Sequence, residues 1–432
     1  MNKLIISALI LAAAPASAEV MNLDQCIGYA IENNLTVRQR NLERQSAEQD
    51  VVSAKDAALP QLSGSASQSW NFGRGLTSAN IYADRNTSSF GANLGLQLPL
   101  FNGLQTVRNV DYAKANLTAV VEELEATKDD VVLRVMAQYL QALYCGELVD
   151  VANSQAALTR EELERRQALL AAGKIPEADM LDAKSQAAQA ELQLVNARND
   201  RATALLDLAQ LLRLPDVGNF DIVALDTSEL PEIRDPQMVY DAALGVNHTI
   251  RAGQLRVDAA GRGIKLAQSG YIPRLSFNAG LGSNYYKVAG YTNESFGQQM
   301  KHNFSQYVGF SLSVPIFDGF STRNNIRTAK IRQLNASLTL ETQKDNLYKA
   351  INESYLQAVG ARQKLEAAEA ACTAGEAALA AVQEKYNLGR ATPTDFDTAR
   401  NNLISAMSER ARARYELILR TRILDFYANP RT

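Results

Sequence analysis

The sequence predicts an α+β membrane protein in which long helical rods adjoin a β-barrel that one chain cannot close alone. Three observations predict it. The chain opens with a secretory-type leader, and no later stretch is apolar enough to cross a bilayer as a helix. Two very long segments, 103–170 and 319–387, read as nearly uninterrupted helix. Four strand-like segments of about ten residues alternate apolar with small-polar side chains, as membrane-spanning strands do.

The leader comes first. Asn2 and Lys3 supply a basic start, Leu4 to Ala14 an apolar stretch, and Ala16-Ser17-Ala18 a small-residue cleavage site. Cleavage is expected after Ala18, leaving Glu19 as the first mature residue. The apolar stretch is too short for an anchor helix.

Composition narrows the function classes. The formal charge is −3, and Lys and Arg are spread along the chain, which argues against a nucleic-acid partner. Cys26, Cys145 and Cys372 lie far apart with no metal-ligand spacing, so they read as packing residues. A lipid on Cys26 is conceivable because Leu23 precedes it by three residues, but Asp24 and Gln25 are wrong for such a site. His248 and His302 fall in different elements, and no phosphate loop, dinucleotide fingerprint or nucleophile elbow is present. The expectation is a protein that is not an enzyme and needs no cofactor.

The sequence is written twice. Asn34-Leu35-Thr36-Val37-Arg38 returns as Asn247-His248-Thr249-Ile250-Arg251, and Leu98-Pro99-Leu100-Phe101-Asn102-Gly103 returns as Val314-Pro315-Ile316-Phe317-Asp318-Gly319. Tyr139-Leu140-Gln141-Ala142 returns as Tyr355-Leu356-Gln357-Ala358, and Gly173-Lys174 as Gly389-Arg390. The period is too long for a solenoid and reads as a duplicated half. After the leader, 1–18, the first repeat spans 19–215: helix 22–57, strands 61–73 and 87–99, long helix 103–170 and helix 177–213. A collar segment, 216–236, rich in Pro, Gly and Asp, follows. The second repeat spans 237–427: helix 237–269, strands 273–284 and 303–315, long helix 319–387 and helix 393–427. Residues 428–432 form a tail.

The helices are rich in Ala, Leu, Gln, Glu and Arg, the composition of long helices or coiled coils. At 1.5 Å per residue each long one would reach about 100 Å. The shorter helices 177–213 and 237–269, set end to end, match 103–170 in length, and 393–427 with 22–57 match 319–387.

In the strands, Phe90, Ala92, Leu94, Leu96 and Leu98 alternate with Ser89, Gly91, Asn93, Gly95 and Gln97. Leu275, Phe277, Ala279 and Leu281, and then Val308, Phe310 and Leu312, follow the same rule; Leu62, Ala66 and Trp70 follow it less cleanly. A soluble sandwich could carry such strands. The leader and the aromatic strand ends (Trp70, Tyr82, Tyr285, Tyr286, Tyr307) favour a membrane, because Trp and Tyr collect at the interface. Four strands cannot close a barrel, and an open edge in lipid leaves backbone groups unpaired. Copies must therefore combine. Two copies would give about eight strands, which fill their own interior, so a conducting duct needs at least three copies. The turns 74–86 and 284–302 would be extracellular loops. Pro60, Pro99, Pro273 and Pro315 mark the four junctions between strand and helix, where proline stops one element from running into the other.

These features together resemble the TolC family of outer-membrane factors, through the duplicated helix–strand–strand–helix unit, the proline-marked junctions and the Pro-Leu-Phe-Asn-Gly and Pro-Ile-Phe-Asp-Gly motifs. The resemblance covers the whole mature chain. It implies a homotrimer with a twelve-stranded barrel in outer-membrane lipid, continuous with a helical tunnel through the periplasm. It also implies docking to an inner-membrane transporter through a periplasmic adaptor, or membrane fusion protein, in a tripartite efflux pump or a type I secretion system. A periplasmic coiled-coil scaffold or adaptor is the alternative, but the two duplicated strand pairs speak against it.

The far ends of the rods are turns at 171–176 and 388–392, each with a Gly that ends one helix and a Pro that begins the next. The resemblance assigns adaptor contact to Gly173, Lys174, Gly389 and Arg390. Just past the turns lie Asp179 and Asp182, then Asp395 and Asp397. In a threefold assembly an inward Asp becomes a ring of three that attracts cations. Family channels carry an acidic aperture with two Asp three residues apart in the second hairpin. Asp395 matches the first position, whereas Thr398 holds the second with Asp397 beside it. Acidic residues also suit a helix N-terminus simply through its dipole.

Overall fold

A computed structural model describes residues 20–76, 80–215, 218–225 and 231–430. The expected leader and its cleavage site lie outside them, as does part of the collar segment. In chain order the elements are β1 (Val20–Met21), α1 (Leu23–Asn33), α2 (Leu35–Asp56), β2 (Gln61–Asn71), β3 (Arg74–Leu76), β4 (Tyr82–Asp84), β5 (Thr87–Asn102), α3 (Gln105–Ala171) and α4 (Glu177–Leu212). There follow β6 (Asp221–Ile222), α5 (Pro236–Val246), α6 (His248–Gln268), β7 (Arg274–Val288), α7 (Phe296–His302), β8 (Ser305–Ser313), α8 (Ser321–Asn387) and α9 (Pro393–Ala428).

Four details differ from the sequence expectations. Each single helix expected at 22–57 and 237–269 is a pair, broken at Asn34 and at Asn247. Both Asn residues are extended (ψ 131 and 120), and their side chains accept from the next helix, Thr36 N at 2.8 Å and Ile250 N at 3.1 Å. An Asn that caps its successor in this way competes with helix continuation. Pro99 is not at a junction but inside β5. The ladder to β2 ends at Gln97, and a bulge between Pro99 and Phe101 follows, so proline stands where one flank is already open. The expected loops are not bare: β3 pairs with β4 inside 74–86, and α7 forms within 284–302 on a capping box between Ser295 and Gln298. Finally, Pro176 caps α4 rather than starting it.

The chain divides into two compact units. The first comprises the described residues up to Asn41, then Glu123–Arg251 and from Thr342 on. Its main core gathers Cys26, Ala30, Val135, Tyr139, Leu140, Leu208, Leu212, Phe220 and Ile418 from helices distant in sequence. Each fully buried Leu contributes about 1.5–3 kcal/mol. Cys26 is fully buried in this core, and burial pushes its thiol up to about 11. β1 and β6 pair in parallel beside the core. The Tyr139 hydroxyl, itself fully buried, donates to Val223 O at 2.6 Å, with Met21 O at 3.3 Å. Further along, the small side chains of Ala152, Ala156 and Ala190 cluster with Leu194 where α3 and α4 pack.

The second unit, Leu42–Glu122 with Ala252–Glu341, holds a four-stranded antiparallel sheet in the order β2-β5-β7-β8, besides the β3–β4 pair. Its register places Leu96 opposite Leu62 and Ala279, and Phe277 opposite Leu98 and Phe310. One face is therefore apolar and the other carries Ser63, Asn93, Gln97, Ser276, Asn278 and Ser311. The bulge keeps this arrangement by bringing Phe101 rather than Leu100 opposite Leu275. The sheet does not close: every residue of β2 and all but one of β8 are exposed. Below the sheet, Val51 and Ala54 of α2 pack on Ala113 of α3, and Arg108 donates to Lys265 O of α6 at 2.7 Å. Gly103 and Leu104 are both left-handed (φ 68 and 63), as are Gly319 and Phe320 (φ 64 and 65). At Gly103 a Cβ would also sit 3.0 Å from Ile272, so glycine is required there twice over.

Candidate gate and docking tips

The two hairpin turns lie in the first unit and end their helices identically. Gly173 N bonds Leu170 O at 2.9 Å and Lys174 N bonds Leu169 O at 2.9 Å. Gly389 N bonds Tyr386 O at 3.0 Å and Arg390 N bonds Lys385 O at 2.8 Å. This double closure needs a left-handed residue, supplied by Gly173 at φ 67 and Gly389 at φ 69. Gly173, Lys174, Gly389 and Arg390 are all exposed.

The restart of the helix differs between the turns. Thr392 caps α9 with Pro393 after it, and Asp395 closes a capping box. The Asp395 carboxylate accepts from Thr392 Oγ1 at 2.7 Å and Thr392 N at 3.0 Å, and these bonds hold its carboxyl below the usual range. Asp395 nonetheless remains exposed. Asp182 is also exposed on α4, while Asp179 is half-buried and its carbonyl accepts from Arg166 Nη1 at 3.2 Å.

Asp397 is engaged in a different way. Its Oδ2 accepts from Gln186 of α4 at 2.6 Å, and its Oδ1 lies 3.0 Å from Arg400, an ion pair without hydrogen-bond alignment. Arg400 in turn donates to Gln186 Oε1 at 3.1 Å. On the other side Glu162 of α3 accepts from Arg166 Nε at 2.8 Å and from the Tyr386 hydroxyl at 2.8 Å. Arg165 donates to Asn387 at 2.8 Å and lies over the Tyr386 ring, which stacks on Phe396. These contacts form a clasp that ties hairpin α3–α4 to hairpin α8–α9.

The clasp is buried but incompletely satisfied. Arg166 and Arg400 are each 3 % exposed, yet Arg166 Nη2 and Arg400 Nε and Nη1 have no hydrogen-bond partner. Burial pulls the Arg400 guanidinium down from its usual value, and burial with the Glu162 bond pushes the Tyr386 hydroxyl up. Orphaned buried donors cost about 1–3 kcal/mol each, which offsets part of what the clasp contributes. Sequence reasoning placed Asp397 here but missed Glu162, Arg166, Gln186, Tyr386 and Arg400. Nothing local marked them, because Glu162, Arg166 and Arg400 stand among many other charged residues and their partners come from other helices.

Among the described residues no cluster of His, Cys, Asp and Glu could hold a metal. His302 pairs with Glu294 at 3.2 Å on the loop that carries α7.

The outer membrane efflux protein family model matches residues 26–212 and again 239–427. The chain is 26 % identical over 391 residues to the outer membrane efflux protein BepC of Brucella suis, covering 90 % of this chain and 81 % of that one. It is 24 % identical over 416 residues to the alkaline protease secretion protein AprF of Pseudomonas aeruginosa, covering 93 % and 83 %. The crystal structure of the Campylobacter jejuni CmeC outer membrane channel superposes with a TM-score of 0.75 at 17 % identity, over 94 % of this chain and 85 % of that one. Two family matches that together span nearly all of the described helices and strands, on a fold of long helices and one small antiparallel sheet, place the chain in the outer membrane efflux protein family, as an outer-membrane exit duct and not an enzyme.

Proposed function

We propose that the chain is one third of a homotrimeric conduit whose three sheets close a twelve-stranded barrel in outer-membrane lipid. The observation that carries this reading is the open four-stranded sheet with one apolar and one small-polar face. Its exposed edges include Leu62, Trp70, Val308, Phe310 and Leu312, an edge that must be covered by another strand. Three sheets give a lumen lined by Ser and Asn. The duplication reading draws support from the two family matches, the paired breaks at Asn34 and Asn247, and the paired left-handed turns at Gly103 and Gly319.

The conduit works passively, driven by an inner-membrane transporter through a periplasmic adaptor. The names of the relatives divide between efflux and protein secretion, and both uses suit the same duct. The exposed tips at Gly173, Lys174, Gly389 and Arg390 are the adaptor contacts. Asp395 and Asp182 supply exposed carboxylates for rings at the periplasmic gate, whereas Asp397 and Asp179 act through the clasp that holds the hairpins. Light scattering on protein extracted in detergent from isolated outer membranes tests the assembly. Three times the mass of the mature chain is expected; a monomer, or release without detergent, would refute it. Asp395→Ala should weaken block by divalent cations in a planar bilayer, and unchanged block would remove Asp395 from the gate.

A further inference from the structure

The loop joining β7 to β8 folds to one side of the sheet, and the side is defined by its contacts. Phe296 of α7 packs on Phe90 at 5.4 Å and on Tyr285 at 5.2 Å. Phe90 and Tyr285 are direct cross-strand neighbours, and they share a face with Ala92, Leu94, Leu281 and Ser283. Ser283 Oγ, two residues along the same face, donates to Met300 O at 2.6 Å. The Gln299 side chain bonds Tyr286 N at 2.9 Å and Tyr286 O at 3.0 Å, which fixes the helix against the strand end. α7 therefore sits on the apolar face and not on the face of Ser63, Asn93 and Asn278.

Below α7 the same face opens into a groove of about 510 Å³ lined by Gly64, Ala66, Ala92, Leu94, Leu281 and Phe304. Small side chains on β2 and β5 make the depression, and larger apolar ones wall it. Its volume lies within the range of small-molecule sites. Beyond the groove, toward the loop end of the sheet, Lys301 of α7 is exposed, and so is Lys287, which by register shares this face two residues past Tyr285, with Ser88 between it and Trp70. Cations above an apolar groove match the layering of a lipid, with phosphate above hydrocarbon.

We propose that the β7–β8 loop is a lipid clamp on the outside of the barrel wall: α7 lies in the headgroup layer and the groove beneath it holds a hydrocarbon chain of a bilayer lipid. The inference rests on the barrel reading above. A loop on the polar face would instead fold over the mouth of the duct, and this one is held away from it.

Tryptophan quenching in vesicles of phosphatidylcholine brominated near the headgroup end of its acyl chains tests the clamp. Trp70 is the sole tryptophan and lies on the apolar face opposite Ser88, so the unaltered protein reports on the barrel itself. In a Trp70→Phe background, Phe296→Trp should lose most of its emission to brominated lipid and resist aqueous iodide. If that variant fails to assemble, Phe304→Trp, exposed at the rim of the groove, is expected to do the same. Bromine-quenched Trp70 with Phe296→Trp or Phe304→Trp quenched by iodide alone would overturn the clamp and leave the barrel standing. Trp70 untouched by bromine would overturn the barrel and the clamp with it.

Discussion

Replacing Tyr386 by Phe removes one hydroxyl from the clasp and little else. The ring still stacks on Phe396 and still lies under Arg165. Glu162 keeps Arg166 Nε at 2.8 Å, and Arg165 remains 3.8 Å away, so no buried carboxylate is stranded. What disappears is one charge-assisted hydrogen bond, worth about 1.5–3 kcal/mol. Tyr386 is only half-buried, and water can replace part of the bond, so the lower end of that range applies. About 1.4 kcal/mol is a tenfold change in an equilibrium. The equilibrium between joined and parted hairpins should therefore shift about tenfold per chain toward parted. The assay is single-channel conductance in planar bilayers, where Tyr386→Phe should raise the open fraction with the fully open conductance unchanged. Arg166→Ala is the contrasting perturbation. It leaves Glu162 without its closest cation, costs about 3–5 kcal/mol and should impair folding of the tip as well as closure. If Tyr386→Phe opens no more often than the parent protein while Arg166→Ala does, the hydroxyl does not hold the hairpins and the clasp must be reassigned to the ion pairs.

Other parts of the molecule give equally direct expectations. Tyr139→Phe removes the donor to Val223 O at the edge of the core, while Met21 O keeps the Val223 N–H at 3.1 Å, and should cost about 1 kcal/mol, seen as a lower melting temperature with the oligomer mass unchanged. The capping box at Asp395 depends on pH. Its carboxyl is depressed by the Thr392 bonds, so the cap is fully present above the ordinary carboxylate pKa and is lost as pH falls through the lower folded value. Amide exchange in the first turn of α9 should accelerate below about pH 4 in the parent protein, and Asp395→Asn should abolish that pH dependence. Gly103→Ala combines a left-handed strain of about 1–2 kcal/mol with a Cβ at 3.0 Å from Ile272 and should lower heat resistance of the assembled protein. The equivalent Gly319→Ala meets nothing within 4 Å and should cost only the backbone strain.

How much of this was legible in the sequence depends on how local each feature is. The two-residue period of 89–98 and 274–282 already contains the two faces of the sheet, because alternation is a property of the extended backbone itself. The tip turns were legible for a similar reason: Gly173 and Gly389 stand where a left-handed residue must close a helix, and Pro176 and Pro393 follow. The breaks at Asn34 and Asn247 were in view as a repeat yet not as breaks, because Asn followed by Leu or His is compatible with a helix until its side chain caps the next turn. Pro99 misled because proline marks a junction only when both flanks of the strand are paired.

The sequence by itself therefore determined the family, the two long helices and the alternating faces of β5, β7 and β8, since each follows from spacing within a few residues. Only the tertiary structure decided that Asp397 is claimed by Arg400 and Gln186, that Glu162 joins Arg166 to Tyr386, and that α7 turns toward the apolar face of the sheet. Those partners lie up to 224 residues apart, and no local period encodes which side chain will meet which when two hairpins pack.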